Sequence, residues 1–97
     1  MPTLKSEQML LSLHIVKIDV GIYRSRVLYG HEELCNFDAF SIGAAIRAAA
    51  RQAQSESCGY TIWYEHVSVG SCLCASMRLD YERLEHRLMA MHELFEV

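Results

Sequence analysis

The sequence contains one proline, Pro2, one tryptophan, Trp63, and five glycines among 97 residues. So little proline and glycine excludes collagen-like, linker-like and low-complexity chains. Long apolar runs are also missing. No stretch approaches the roughly eighteen apolar residues that a membrane-spanning helix needs. The run "MLLSLHIV" at 9–16 is short, follows the acidic Glu7 and carries no small-residue cleavage site, so neither a membrane span nor a secretory signal is expected. The expected compartment is the cytoplasm. Excess positive charge is absent too: nine Lys and Arg against twelve Asp and Glu leave a net charge of −3. Non-specific nucleic-acid binding depends on neutralising phosphates, so a basic partner is electrostatically easier than DNA or RNA.

Recognised catalytic and metal motifs are lacking as well. Four cysteines, Cys35, Cys58, Cys72 and Cys74, stand in a chain with no export signal, and reduced, buried thiols are expected rather than a disulfide framework. There is no Cys-x-x-Cys pair of the zinc-knuckle kind. There is no His-Glu-x-x-His, no phosphate-cradling glycine loop and no nucleophile-elbow pattern, so no enzyme activity, metal or cofactor is expected. A Cys–His site remains the third reading, since such partners meet only in space. The histidines His14, His31, His66, His86 and His92 are scattered; His86 lies four residues after Glu82 and His92 four before Glu96, an ordinary helix-surface spacing.

What is present is a chain with 52% apolar or aromatic residues, enough for one modest core over 1–97. Residues 9–20 alternate through Leu11, Leu13 and Ile15, and then the phase slips to Val16, Ile18 and Val20, as in a strand with a bulge. "DVG" at 19–21 reads as a turn, "IYRSRVLY" at 22–29 as a paired strand, Gly30–His31 as a second turn and "EELCNF" at 32–37 as a short third strand. The period then changes. In "DAFSIGAAIRAAARQAQSES", Ile42, Ala45, Ile46, Ala49 and Ala53 share one helical face, with Asp38 or Ser41 as the cap. "YTIWYEHVSV" at 60–69 returns to strand periodicity, "GS" at 70–71 signals a hairpin and "CLCASMRL" at 72–79 an antiparallel return. The core is the default place for Trp63. A closing helix carries Tyr81, Leu84, Leu88, Met91 and Phe95 three and four apart. The expected fold is α+β: an antiparallel sheet of four to five strands in the order β-β-(β)-α-β-β-α, with helices packed against it.

The negative charge is not spread evenly. Seven basic and seven acidic residues balance through Arg78, and the last nineteen positions then add Asp80, Glu82, Glu85, Glu93 and Glu96 against Arg83 and Arg87. Carboxylates at 80, 82 and 85 would favour the first turns of a helix, which is a stabilising role by itself. Joined to Glu32, Glu33 and Asp38, they would form the negative surface of a DNA mimic. Arg24 and Arg26 are placed to pair with Glu32 or Glu33 across the hairpin. "SIGAAIRAAARQA" after strands has the outline of a double-stranded-RNA-binding domain, but Ser41, Ile42 and Gly43 stand where that family carries lysines. Direct nucleic-acid binding is not expected.

A hairpin followed by "FDAFSIGAAIRAAARQA" and then the aromatic strand "GYTIWYEHVSV", in a small acidic domain, resembles anti-CRISPR proteins of phages and mobile elements, over about residues 10–78. The resemblance implies a non-enzymatic inhibitor in the host bacterial cytoplasm that binds a CRISPR surveillance (Cascade-type) complex and blocks target DNA binding or nuclease recruitment. Its partner would be a basic protein surface, and Glu32, Glu33, Asp38, Asp80, Glu82 and Glu85 the contact residues. The alternative is a homo-oligomeric structural or adaptor domain whose last helix packs against its own copy through the Tyr81–Phe95 stripe.

Overall fold

A computed structural model of the chain describes residues 10–52 and 59–94. Ala53, Cys58, Phe95 and Glu96 lie outside the described residues. The elements are β1 (Leu10–Asp19), β2 (Ile22–Tyr29), β3 (Glu32–Ala39), α1 (Ile42–Gln52), β4 (Gly59–Tyr64), β5 (Val67–Leu73) and α2 (Cys74–Leu94). The fold is α+β, with one five-stranded sheet in the order β3-β2-β1-β4-β5. It is mixed rather than antiparallel throughout, because β1 and β4 run parallel, from Leu10 opposite Gly59 to Ile15 opposite Tyr64. The cause is the connection. The chain leaves the β3 edge, crosses the sheet through α1 and enters β4 beside β1, and a helical crossover is what parallel neighbours require.

The first two turns fall where the sequence places them, with Gly21 and Gly30 in the left-handed region at φ 74° and 65°. The β1 irregularity lies between Lys17 and Asp19. Val16, Ile18 and Val20 do not continue the apolar face into the core; all three are exposed, and Val16, which precedes the irregularity, lies on the face away from the helices opposite Arg24.

The second half differs from expectation in where it turns. The β4–β5 hairpin closes at Glu65–His66, not at Gly70–Ser71. Glu65 adopts φ 55°, a strained choice for a side-chain-bearing residue. Two bonds to β1 offset it: the Glu65 amide donates to the Ile15 carbonyl at 2.9 Å, and Glu65 Oε2 accepts from the Lys17 amide at 3.0 Å. Gly70, at φ 87°, instead serves a bulge inside β5, where the register jumps from Trp63 opposite Ser68 to Ile62 opposite Gly70. Ser68 Oγ fastens the bulge by donating to the Ile62 carbonyl at 2.7 Å and accepting from the Gly70 amide at 2.9 Å. The segment at 74–79 is therefore the start of α2, not a returning strand, and α2 kinks at Asp80, whose φ and ψ are −108° and 23°.

Both helices cover one face of the sheet. Leu11, Leu13 and Ile15 of β1, Val27 of β2 and Tyr60, Ile62 and Tyr64 of β4 meet Ile42, Ala45, Ile46, Ala49 and Ala50 of α1 and Met77, Leu84 and Leu88 of α2. Ser41 caps α1, its Oγ accepting from the Ala44 amide at 3.0 Å. The Tyr60 hydroxyl donates to the Ala49 carbonyl at 3.0 Å, which ties α1 to β4. No helix among the described residues is long and apolar enough to cross a membrane.

Ser25 is fully buried on the helix-facing side of β2, and its Oγ has no hydrogen-bond partner among the described residues. A buried hydroxyl without a partner costs free energy that an apolar side chain of similar size avoids. Ser25→Ala is expected to raise stability by about 1 kcal/mol, read as a higher urea midpoint at unchanged slope; a lower midpoint would mean that the hydroxyl is bonded in solution.

Candidate binding surfaces

The face of the sheet away from the helices is built by the residues that alternate with the core positions. Pairing places Asp38 opposite Arg24 and Arg24 opposite Val16; one step along, Asn36 lies opposite Arg26 and Arg26 opposite His14. His14 is in turn paired with Trp63, and Trp63 with Ser68. A row Asn36–Arg26–His14–Trp63–Ser68 thus crosses all five strands. At its centre the His14 and Trp63 rings stack, 6.0 Å between centroids and 7° between planes. Trp63 is half-buried on this face and not part of the helix-covered core.

Two ion pairs lie beside the stack, both on its β2–β3 side. Arg24 Nε donates to Asp38 Oδ1 at 2.7 Å, and Arg26 Nε to Glu33 Oε1 at 2.8 Å. Asn36 Nδ2 donates to the other Glu33 oxygen at 2.7 Å. The hydrogen bond from Arg24 lowers the Asp38 pKa, and those from Asn36 and then Arg26 lower that of Glu33. Such exposed pairs are well screened and contribute little to stability. Their consequence is local charge balance: Glu33 and Asp38 each hold an arginine.

His14 is held below its ordinary pKa of 6.5 by burial first and by the nearby Arg26 charge second. The unfolded chain therefore takes up this proton more readily than the native one. Stability from His14 is complete above pH 6.5 and is lost as the pH falls through the lower folded value. The thermal midpoint is expected to drop on acidification from neutral pH, and His14→Gln to drop less. Equal slopes for the two proteins would remove His14 as a cause.

The six acids proposed from sequence are not brought onto one face. Glu33 and Asp38 lie on the open sheet face, paired with arginines. Glu32 is exposed at the start of β3, opposite Tyr29, and Asp80 is half-buried at the α2 kink. Glu82 and Glu85 are on the helix side, in a groove of about 420 Å³ between α1 and α2 with Arg47, Arg51 and Tyr81. Arg47 lies over the Tyr81 ring, 5.3 Å from its centroid. The pairing of Arg26 with Glu33 was legible in sequence; that of Arg24 with Asp38 follows from the β2–β3 register.

The apolar stripe of α2 faces the molecule's own interior. Leu84 and Leu88 are buried, and Tyr81 and Met91 are packed against the core. Leu84 and Leu88 are thus already covered and are not a surface for a second copy. His92 approaches Tyr64 at 5.0 Å and His66 at 5.7 Å between ring centroids. Among the described residues, Cys35 and Cys72 are half-buried thiols and Cys74 is buried. Cys72 lies in β5, whereas Cys74, expected on the same returning strand, opens α2. Burial raises the Cys72 pKa, which favours the neutral thiol over the nucleophilic thiolate. Among the described residues, no group of three or more His, Cys, Asp and Glu could hold a metal ion.

Compared with protein-family models, curated proteins and solved structures, the chain matches none.

Proposed function

We propose that this protein is a non-enzymatic inhibitor that binds a nucleoprotein complex of the CRISPR surveillance type, and that it docks through the uncovered face of its sheet. The observation that carries the docking surface is the His14–Trp63 stack at the centre of that face, bordered on its β2–β3 side by Arg24, Arg26 and their carboxylate partners. A half-buried tryptophan between a histidine and a serine, with arginine ion pairs beyond the histidine, has the composition of an interface hot spot with a polar rim. The class of partner rests on the resemblance of residues 10–78 to anti-CRISPR proteins. Glu33 and Asp38 are each matched by an arginine, so they act as part of a mixed-charge rim rather than as phosphate substitutes. Net negative charge, to which Glu32, Asp80, Glu82 and Glu85 contribute, steers the chain toward a basic partner surface.

The test is capture by the tagged chain from nuclease-treated lysates of bacteria carrying CRISPR systems, with mass spectrometry of the bound proteins. Stoichiometric surveillance-complex subunits are expected. Recovery of the bait alone would overturn the assignment.

A further inference from the structure

We propose that the protein forms a homodimer through the groove between α1 and α2, on the opposite side of the molecule from the open sheet face. The groove has walls of opposite charge. Arg47 and Arg51 lie one helical turn apart on α1, and Glu82 and Glu85 stand on α2. Among the described residues, none of these four makes an ion pair; the pairs present are Arg24–Asp38 and Arg26–Glu33.

The two helices run antiparallel. Gly43, in the first turn of α1, lies against Glu85 and Tyr81, whereas Ala50, near its end, accepts a bond from Arg78 at the start of α2. Two copies facing each other across this surface have two simple symmetric arrangements. A two-fold axis perpendicular to the helices would set α1 on α1 and arginine on arginine. An axis parallel to the helices sets α1 of each copy on α2 of the other, so that the arginine row meets the glutamate row twice. Charge selects the second.

Shape supports the same arrangement. Phe40, at the mouth of the groove, is 77% exposed, and Ala44 and Ala48 leave a shallow floor between the charged walls. The parallel axis carries Phe40 toward the partner's α2 near Met89, which is also exposed. An aromatic knob flanked by two sets of complementary charges is a self-complementary patch, as a two-fold interface demands. The occupant of the groove is therefore a second copy of this chain.

The experiment is sedimentation equilibrium of the whole chain between about 1 and 300 μM, spanning the range of weak to moderate affinities. The wild-type protein is expected to dimerise, and more weakly at high salt. Arg47→Glu alone, which cancels the net charge of the α1 wall and sets a carboxylate against the acidic wall, and Glu82→Arg alone, which cancels that of the α2 wall and sets an arginine against the basic wall, are each expected to weaken self-association at least about tenfold. An equimolar mixture of the two variants restores the complementarity and is expected to give a heterodimer. Circular dichroism checks that each variant keeps its fold. A wild-type protein monomeric over the whole range, single variants that dimerise as the wild type does, or a mixture that stays monomeric would each overturn the proposal.

Discussion

Leu88→Ala is expected to remove about 2–5 kcal/mol of stability. Leu88 is fully buried in the middle of α2, where the helix lies over the sheet and beside α1. Truncation deletes three carbon atoms from a site with close-packed neighbours and leaves a cavity that the sheet cannot fill by moving. A domain of this size commonly has only about 5–15 kcal/mol in total, so the variant would unfold at a much lower urea concentration. Met89→Ala, one position along the helix and 42% exposed, is the control, expected within about 0.5 kcal/mol of the wild type. The pair reports on the orientation of α2. A helix whose stripe waited for a partner would show little loss at Leu88 in the isolated protein.

Trp63→Ala is expected to weaken capture of the partner complex by about 30-fold or more, the size of a hot-spot truncation of about 2 kcal/mol. The side chain sits on the open face, so the core under the helices is untouched, and the far-ultraviolet spectrum of the variant should match the wild type. His14→Ala removes the other half of the stack and should weaken binding in the same direction. Charge reversal at Glu33 and Asp38 breaks the pairs with Arg26 and Arg24 but leaves the stack, and a smaller loss is expected. Reversal of Glu32, Asp80, Glu82 and Glu85 should act mainly on the association rate and its salt dependence. The opposite ranking, with capture surviving Trp63→Ala and abolished by reversal of the acids, would move the contact to the carboxylates and make the protein a phosphate mimic.

The order and type of most elements were legible because periodicity is a local property. Leu11, Leu13 and Ile15 alternate into the core, and Ile42, Ala45, Ile46 and Ala49 share the buried face of α1 as their spacing dictates. The turns at Gly21 and Gly30 were equally local, since a left-handed φ selects glycine. The hairpin at Glu65 was not. A glutamate with positive φ carries no turn signature, and what holds it is a pair of bonds to Ile15 and Lys17, far away in the chain. Gly70 gave a true signal of unusual backbone, but the same signal serves a bulge and a turn, and the register with β4 selects the bulge.

The candidate surfaces divide in the same way. Sequence alone determined the order of most strands and helices and the periodic apolar face of β1 and of α1, and that the excess of acids over bases lies in the last nineteen residues. Tertiary structure decided which charges meet. The crossover through α1 makes β1 and β4 parallel neighbours, so that His14 stacks on Trp63, and it puts two of the tail's acids across a groove from Arg47 and Arg51, on the other side of the molecule from Glu33 and Asp38. The physical reason is that alternation and helical period specify which way a side chain faces relative to its own backbone, whereas strand order and helix placement specify what stands opposite it.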